Sequence, residues 1–312
     1  MKDPVRIANC SGFYGDRLSA AKEMVEGGPI DVLTGDWLAE LTMLILAKTR
    51  TKQKEAGYAR TFVQQMQQVA ATCVEKSIKV VSNAGGLNPR GCADAVQAIL
   101  DEQGIKARVA WIDGDDLMTR LSELKATGNR FEHMDTGEAL GEQDMLTANA
   151  YIGGWGITEA LNRGADIGIT GRTTDAAIVS GAAAWHHGWK PSDYDQLAGA
   201  IVAGHVIECG CQATGGNYSF FKEVPGLERP GFPIAEIAAD GSTVITKHEN
   251  HGGQVSVGTV TSQLLYEIGA PEYKNPDVIR RFATTELDAL APNRLRLAGV
   301  RGEPGPAQPR GR

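Results

Sequence analysis

Several carboxylates in this sequence stand beside glycine, where a ligand can approach. Asp36 and Glu40 are four residues apart, so on a helix they would share a face. Such a pair can separate its two pKa values and serve as acid and base. Asp113, Asp115 and Asp116 follow an apolar run; together they offer oxygen ligands, and Asp113 is a second candidate for moving a proton. Arg172, in "ITGRTTDAA", suits a bidentate grip on a carboxylate or phosphate. The plainer reading of Arg172 is an ion pair with Asp175. His205 and Glu208, in "GHVIECGCQATGGNYS", are spaced to share a helical face, and Glu208 is the third candidate catalytic carboxylate. Cys209 and Cys211 are either reactive thiols or small core residues. Each acid also has a plain alternative, because a carboxylate at a helix start is stabilised by the helix dipole alone.

The ligand-binding candidates lie at polar turns. In "KVVSNAGGLNP" an apolar run gives way to Ser82, Asn83, Gly85, Gly86 and Asn88. Glycine admits positive φ and close approach of a ligand to the backbone. Asn88 followed by Pro89 reads as a helix cap and first helical position, and a helix start is an anion site. Asn9, Ser11 and Gly12 form a similar corner in "ANCSGFYGD", and Thr170 precedes Arg172 in another. Thr214, Gly215, Gly216 and Asn217 resemble a further ligand-approach turn, and His248 and His251 also stand near glycines.

The elements that would position these residues alternate. β-branched runs at 5–8, 30–33, 78–81, 107–112 and 167–170 are each followed by a polar turn and a helical pattern. Strands alternating with helices of this length imply an α/β fold, a mostly parallel sheet with helices on both faces. Ligands bind such sheets beyond the carboxyl ends of the strands, so the polar corners should share one edge. A smaller α+β region follows. It opens with the apolar stretch "QLAGAIVAGHVIECG" and contains a hairpin about Asp240-Gly241. We place an α/β ligand-binding core at 1–195, an α+β region packed on it at 196–300, and a Pro/Gly/Arg-rich disordered tail at 301–312.

Composition excludes several classes. The chain has 312 residues, 42% hydrophobic and 22% charged, which suits a globular core. A net charge of −7 with no basic stripe argues against nucleic acid as a partner. No apolar stretch reaches membrane-spanning length, and the N-terminus lacks a signal-peptide core. The five cysteines include no C-x-x-C pair, so neither a disulfide framework nor a zinc site is expected, and no metal ligand set is assigned. A soluble, reduced, cytoplasmic protein with a small-molecule substrate fits. No G-x-G-x-x-G, P-loop or nucleophile elbow is present. The "SNAGG" turn and the Tyr218–Lys222 spacing are similar to short-chain dehydrogenases, but the opening glycine fingerprint of that family is missing.

A more extensive likeness runs through collinear blocks: "ANCSGFYGD", "IDVLTGDWLAELTMLILAK", "GYARTFVQQM", "IKVVSNAGGLNPRGCADAV", "ADIGITGRTTDAA", "AGHVIECGCQATGGN", "PIAEIAADGSTVITK" and "VSVGTVTSQLLYEIG". Together they closely resemble the acyclic terpene utilisation AtuA family, from Val5 to about Arg301. That resemblance implies a place in the breakdown of citronellol- or geraniol-type terpenes, or of branched unsaturated acids, through coenzyme A thioesters. It supplies a pathway and no residue roles. The expected activity is a lyase or hydratase acting on an acyl-CoA or a small carboxylate. The alternatives are a non-catalytic acyl-CoA-binding or complex-organising subunit, and an NAD(P)-dependent reductase. No cofactor is assigned; coenzyme A enters as part of a substrate. Family members usually continue further, so the strand at 294–300 is expected to lack its partner. A separate C-terminal subunit or a homo-oligomer is the expected protein partner.

Overall fold

Alternate residues of the apolar runs face opposite ways, and this sets the layers. We describe a computed structural model, in which residues 2–133, 135–141, 144–266 and 268–306 are described. The first half runs β1 (Val5–Asn9), α1 (Ala20–Glu26), β2 (Val32–Gly35), α2 (Glu40–Lys52), α3 (Arg60–Glu75), β3 (Lys79–Gly86), α4 (Pro89–Glu102) and β4 (Val109–Ile112). After α5 (Leu121–Ala126) and α6 (Trp155–Asn162) come β5 (Ile167–Gly171), α7 (Ala177–His187) and α8 (Tyr194–Ile207). The remainder is β6 (Pro233–Ile237), β7 (Thr243–Lys247), α9 (Val257–Leu265), β8 (Glu272–Lys274), β9 (Val278–Arg281), β10 (Glu286–Ala291), β11 (Arg294–Ala298) and β12 (Arg301–Pro304).

The main sheet has nine strands in the order β10-β11-β7-β6-β1-β2-β3-β5-β4. The strands β1-β2-β3-β5-β4 are parallel, and β6, β7, β11 and β10 extend the sheet antiparallel from β1. Ile7, Val32 and Val81 face one layer of helices, with Ile157 of α6, Val179 of α7 and Ile201 of α8. Ala8, Leu33 and Val80 face the other, with Met24 of α1, Met66 of α3 and Val96 of α4. The α/β expectation with helices on both faces therefore holds. The first of these cores also takes in Ile237, Leu295 and Leu297, so it runs across residue 195.

Local chemistry explains the element ends. Asn88 Oδ1 accepts from Gly91 N at 2.9 Å with Pro89 in the first turn, as its cap position predicts. Ser256 and Thr259 form a capping box on α9. The hairpin β6–β7 turns at Gly241, φ +84°. Helix α8 is buried along most of its length because it lies between the main sheet and a small antiparallel sheet, β12-β9-β8.

The structure departs from expectation in three places. The strand beginning at Lys79 does not end at Val81 but runs through the glycines to Gly86, shifting register against β5 between Ser82 and Gly86. Strand β11 has partners on both sides, β7 and β10, so the strand at 294–300 is not left open. The expected tail starts as a strand, because Arg301–Pro304 pairs with β9 and Asp195 accepts from Gly302 N at 2.9 Å. Residues 307–312 of that expected tail lie outside the described residues.

Candidate functional site

A cleft of about 520 Å³ opens where the carboxyl ends of β1, β2 and β5 meet the end of α8 and the small sheet. Gly12, Asp36, Glu40, Arg172, Asp175 and Glu208 line it on the sheet side. Tyr273, Lys274, Asn275 and Pro276 line it from the β8–β9 turn. The size falls within the range of small-ligand sites, roughly 300–1,000 Å³.

Asp36 is 6% exposed. Its backbone N–H donates to Ser11 O at 2.9 Å, which fixes the β2 corner against the β1 corner. Its Oδ1 accepts from Leu38 N at 2.9 Å and from Asn83 Nδ2 at 2.6 Å, while Asn83 Oδ1 accepts from Trp37 N at 2.9 Å. Burial, reinforced by Asp175, pushes the Asp36 carboxyl well above the usual carboxylate range; Arg172 and Asn83 oppose the shift without reversing it. Asp36 therefore gives up its proton at a higher pH than an ordinary carboxyl does.

Arg172 is 4% exposed. Its Nη1 donates to Asp175 Oδ1 at 2.8 Å and to Leu38 O at 3.3 Å, and its guanidinium lies 4.1 Å from the Tyr151 ring centre. Burial alone would ease a proton off, but Asp175 first and then Tyr151 outweigh it and hold Arg172 firmly charged. The ion pair with Asp175 is thus present, alongside a position on the cleft wall. Tyr151 in turn donates to Glu40 Oε1 at 2.8 Å. Asp36 and Glu40 both reach the cleft, though not as one helical face, since α2 begins only at Glu40.

At the cleft floor Glu208 Oε1 lies 3.1 Å from His205 Nδ1, both side chains being buried. With Glu208 at the C-cap of α8, the two side chains bond to each other. The thiols are not poised as nucleophiles. Burial pushes Cys209 far up, and Cys211 up to about 12. Among the described residues no group of three or more His, Cys, Asp or Glu side chains is arranged to hold a metal ion.

The remaining sequence candidates fall elsewhere. Asn9 Nδ2 donates to Glu208 O and Asn9 Oδ1 accepts from Ser11 N, so Asn9 ties β1 to the end of α8. Ser11, Ser82 and Thr170 bond their own neighbouring backbone, to Phe13 O, Ala84 N and Gly171 O. Gly85 allows close packing, because a Cβ there would lie 2.5 Å from Thr170 O. Gly86, Asn88 and Asp113 border a separate hollow of about 410 Å³ with Arg90 and Trp111. Asp113 and the GG corner are therefore not in the cleft with Asp36. Thr214, Gly215, Gly216 and Asn217 line neither space. Thr214 Oγ1 donates to Gly231 O at 2.7 Å, Gly215 packs on Val224, Gly216 on Gln212, and Asn217 reaches Ser262 O. His248 packs beneath Gly27 and Gly28, and Tyr218 packs on Gly258. The first βα corner, where dinucleotide folds receive a pyrophosphate, is filled: a Cβ on Gly12 would lie 2.4 Å from the Cys209 carbonyl carbon.

Sequence reasoning missed Tyr151, Tyr273 and Asn275. Tyr151 stands in an irregular stretch, and the other two flank the end of a three-residue strand, β8. None carries a local motif.

Among the described residues no helix is long and apolar enough to cross a membrane. The family model described as acyclic terpene utilisation family protein AtuA matches residues 5–310. No curated protein and no solved structure matches.

Proposed function

The chain belongs to the acyclic terpene utilisation AtuA family, and from that premise we propose that it is a lyase or hydratase acting, in the cleft above, on an acyl-CoA or small carboxylate from acyclic terpenes or branched unsaturated acids. One observation carries the reading. A buried carboxyl whose charged form burial disfavours, Asp36, stands beside the Arg172–Asp175 pair on the wall of one cleft.

Adding water across a double bond next to a carbonyl needs a base and an acid on opposite partners. Asp175 takes a proton from water as its oxygen bonds to the β-carbon. The π electrons move to the α-carbon, which takes the proton of Asp36. Solvent exchange then returns a proton to Asp36 and removes one from Asp175. Run backwards, the same groups eliminate water. Arg172 keeps Asp175 oriented and offsets negative charge developing on the carbonyl oxygen. Asn83 positions Asp36 through the 2.6 Å bond.

The test is turnover by the purified full chain without any partner. CoA thioesters of branched α,β-unsaturated acids are offered, and loss of the conjugated chromophore and gain of one water are followed by spectroscopy and mass spectrometry. Hydration that disappears in Asp36→Asn supports the reading. Thioesters that bind and are released unchanged would assign the non-catalytic acyl-CoA-binding role instead.

A further inference from the structure

Asn275 is 2% exposed and lines the cleft, yet neither its Nδ2 nor its Oδ1 has a hydrogen-bond partner among the described residues. Buried side-chain amides in folded proteins are nearly always paired, and leaving both ends unpaired costs stability. The position is not loose. Asn275 N donates to Val278 O at 3.0 Å to close the β8–β9 turn, and Asp277 Oδ2 accepts from Gly154 N at 2.6 Å to pin that turn to the start of α6. Thr174 Oγ1, also on the cleft wall and next to Asp175, is likewise buried without a partner.

We propose that Asn275 is a substrate-positioning residue whose side chain pairs with the secondary amide groups of the ligand, and that the cleft therefore takes its substrate as a thioester on an amide-bearing pantetheine arm rather than as a free acid. This rests on the reading that the cleft binds substrate. The chemistry of the unmet groups selects the partner. A carboxylate or a thioester carbonyl offers acceptors only, which would satisfy Nδ2 and leave Oδ1 idle. A trans secondary amide points its N–H and C=O opposite ways, so two neighbouring amides, the N–H of one and the C=O of the other, are what satisfies both. Coenzyme A thioesters carry secondary amides along the arm that joins the acyl group to the phosphates. Lys274, adjacent in sequence and also lining the cleft, is exposed and places a cation where a phosphate-bearing end would emerge.

The test is calorimetric titration of the full chain with pantetheine, a branched unsaturated acyl-CoA and the matching free acid, comparing wild type with Asn275→Leu and Asn275→Ala. Asn275→Leu removes both unmet polar ends, so the unliganded variant melts no lower than wild type. Its affinity for pantetheine and for the thioester falls on the order of 10- to 100-fold, and its affinity for the free acid changes little. Asn275→Ala carries the same ligand pattern should the leucine not fit. Unchanged thioester affinity in both variants would overturn the role of Asn275 and leave the cleft reading standing. Equal loss for thioester and free acid would overturn the amide pairing. Binding of none of the three by wild type would overturn this inference, and turnover of thioesters in the separate assay would then show whether the cleft reading survives it.

Discussion

Replacing Asp36 by asparagine separates chemistry from fold. The amide keeps the shape of the carboxyl, and its oxygen can accept from Leu38 N and Asn83 Nδ2 as Asp36 Oδ1 does, at 2.9 and 2.6 Å. Only the transferable proton is lost. If Asp36 is the acid of the reaction, turnover falls about 10²- to 10⁴-fold, the usual contribution of such a group. Stability moves the other way. An unfolded aspartate releases its proton near pH ~3.9, whereas burial and Asp175 keep the folded Asp36 protonated to higher pH. Between those two values the unfolded chain holds fewer protons than the native one. Wild-type stability therefore declines as pH rises through that window and levels off above the folded pKa. Each pH unit of the window is worth about 1.4 kcal/mol. The variant lacks this slope. It should match wild type near pH 4 and exceed it increasingly toward neutral pH. Urea denaturation from pH 4 to 8, set beside turnover, measures both. An Asp36→Asn protein with wild-type turnover, or one that gains no relative stability as pH rises, would refute the argument.

Arg172→Ala should weaken binding of thioesters and also destabilise the fold. It strips Asp175 of its partner and Tyr151 of its stacked cation; with Arg172 5% and Asp175 30% exposed, the cost is at the low end for a broken buried pair, about 3 kcal/mol. A double-mutant cycle with Asp175→Ala, read by urea denaturation, isolates that coupling; none would remove the pair from the account. Gly85→Ala should cost about 1–3 kcal/mol because its Cβ would meet Thr170 O at 2.5 Å and Pro89 Cα at 2.7 Å. Since Gly85 is absent from the cleft wall, thioester affinity of the folded fraction should be unchanged in the same titration.

The strands carrying Asp36 and Arg172 were legible because β-branched runs ending in small polar residues have few other readings. Their convergence followed from the parallel sheet, since all its strands present their carboxyl ends at one edge. The same logic overreached at Gly85, Gly86 and Thr214. There the glycines answer to backbone contacts made by distant segments, such as Gly57 O at 2.8 Å from a Cβ on Gly86, which no local pattern records. Asp113 shared the edge but not the cleft, because β4 is the outermost parallel strand. The 272–304 region was hard to read for another reason. Its short strands are half-exposed and polar, so periodicity is weak, and Asn275 becomes notable only once burial denies it partners.

The most direct test is a crystal structure of the Asp36→Asn protein soaked with a branched unsaturated acyl-CoA. The account predicts the double bond beside residue 36 and Asp175, with an arm amide on Asn275. Acyl density in the hollow bordered by Asp113 and Trp111, with the Asp36 cleft empty, would contradict it.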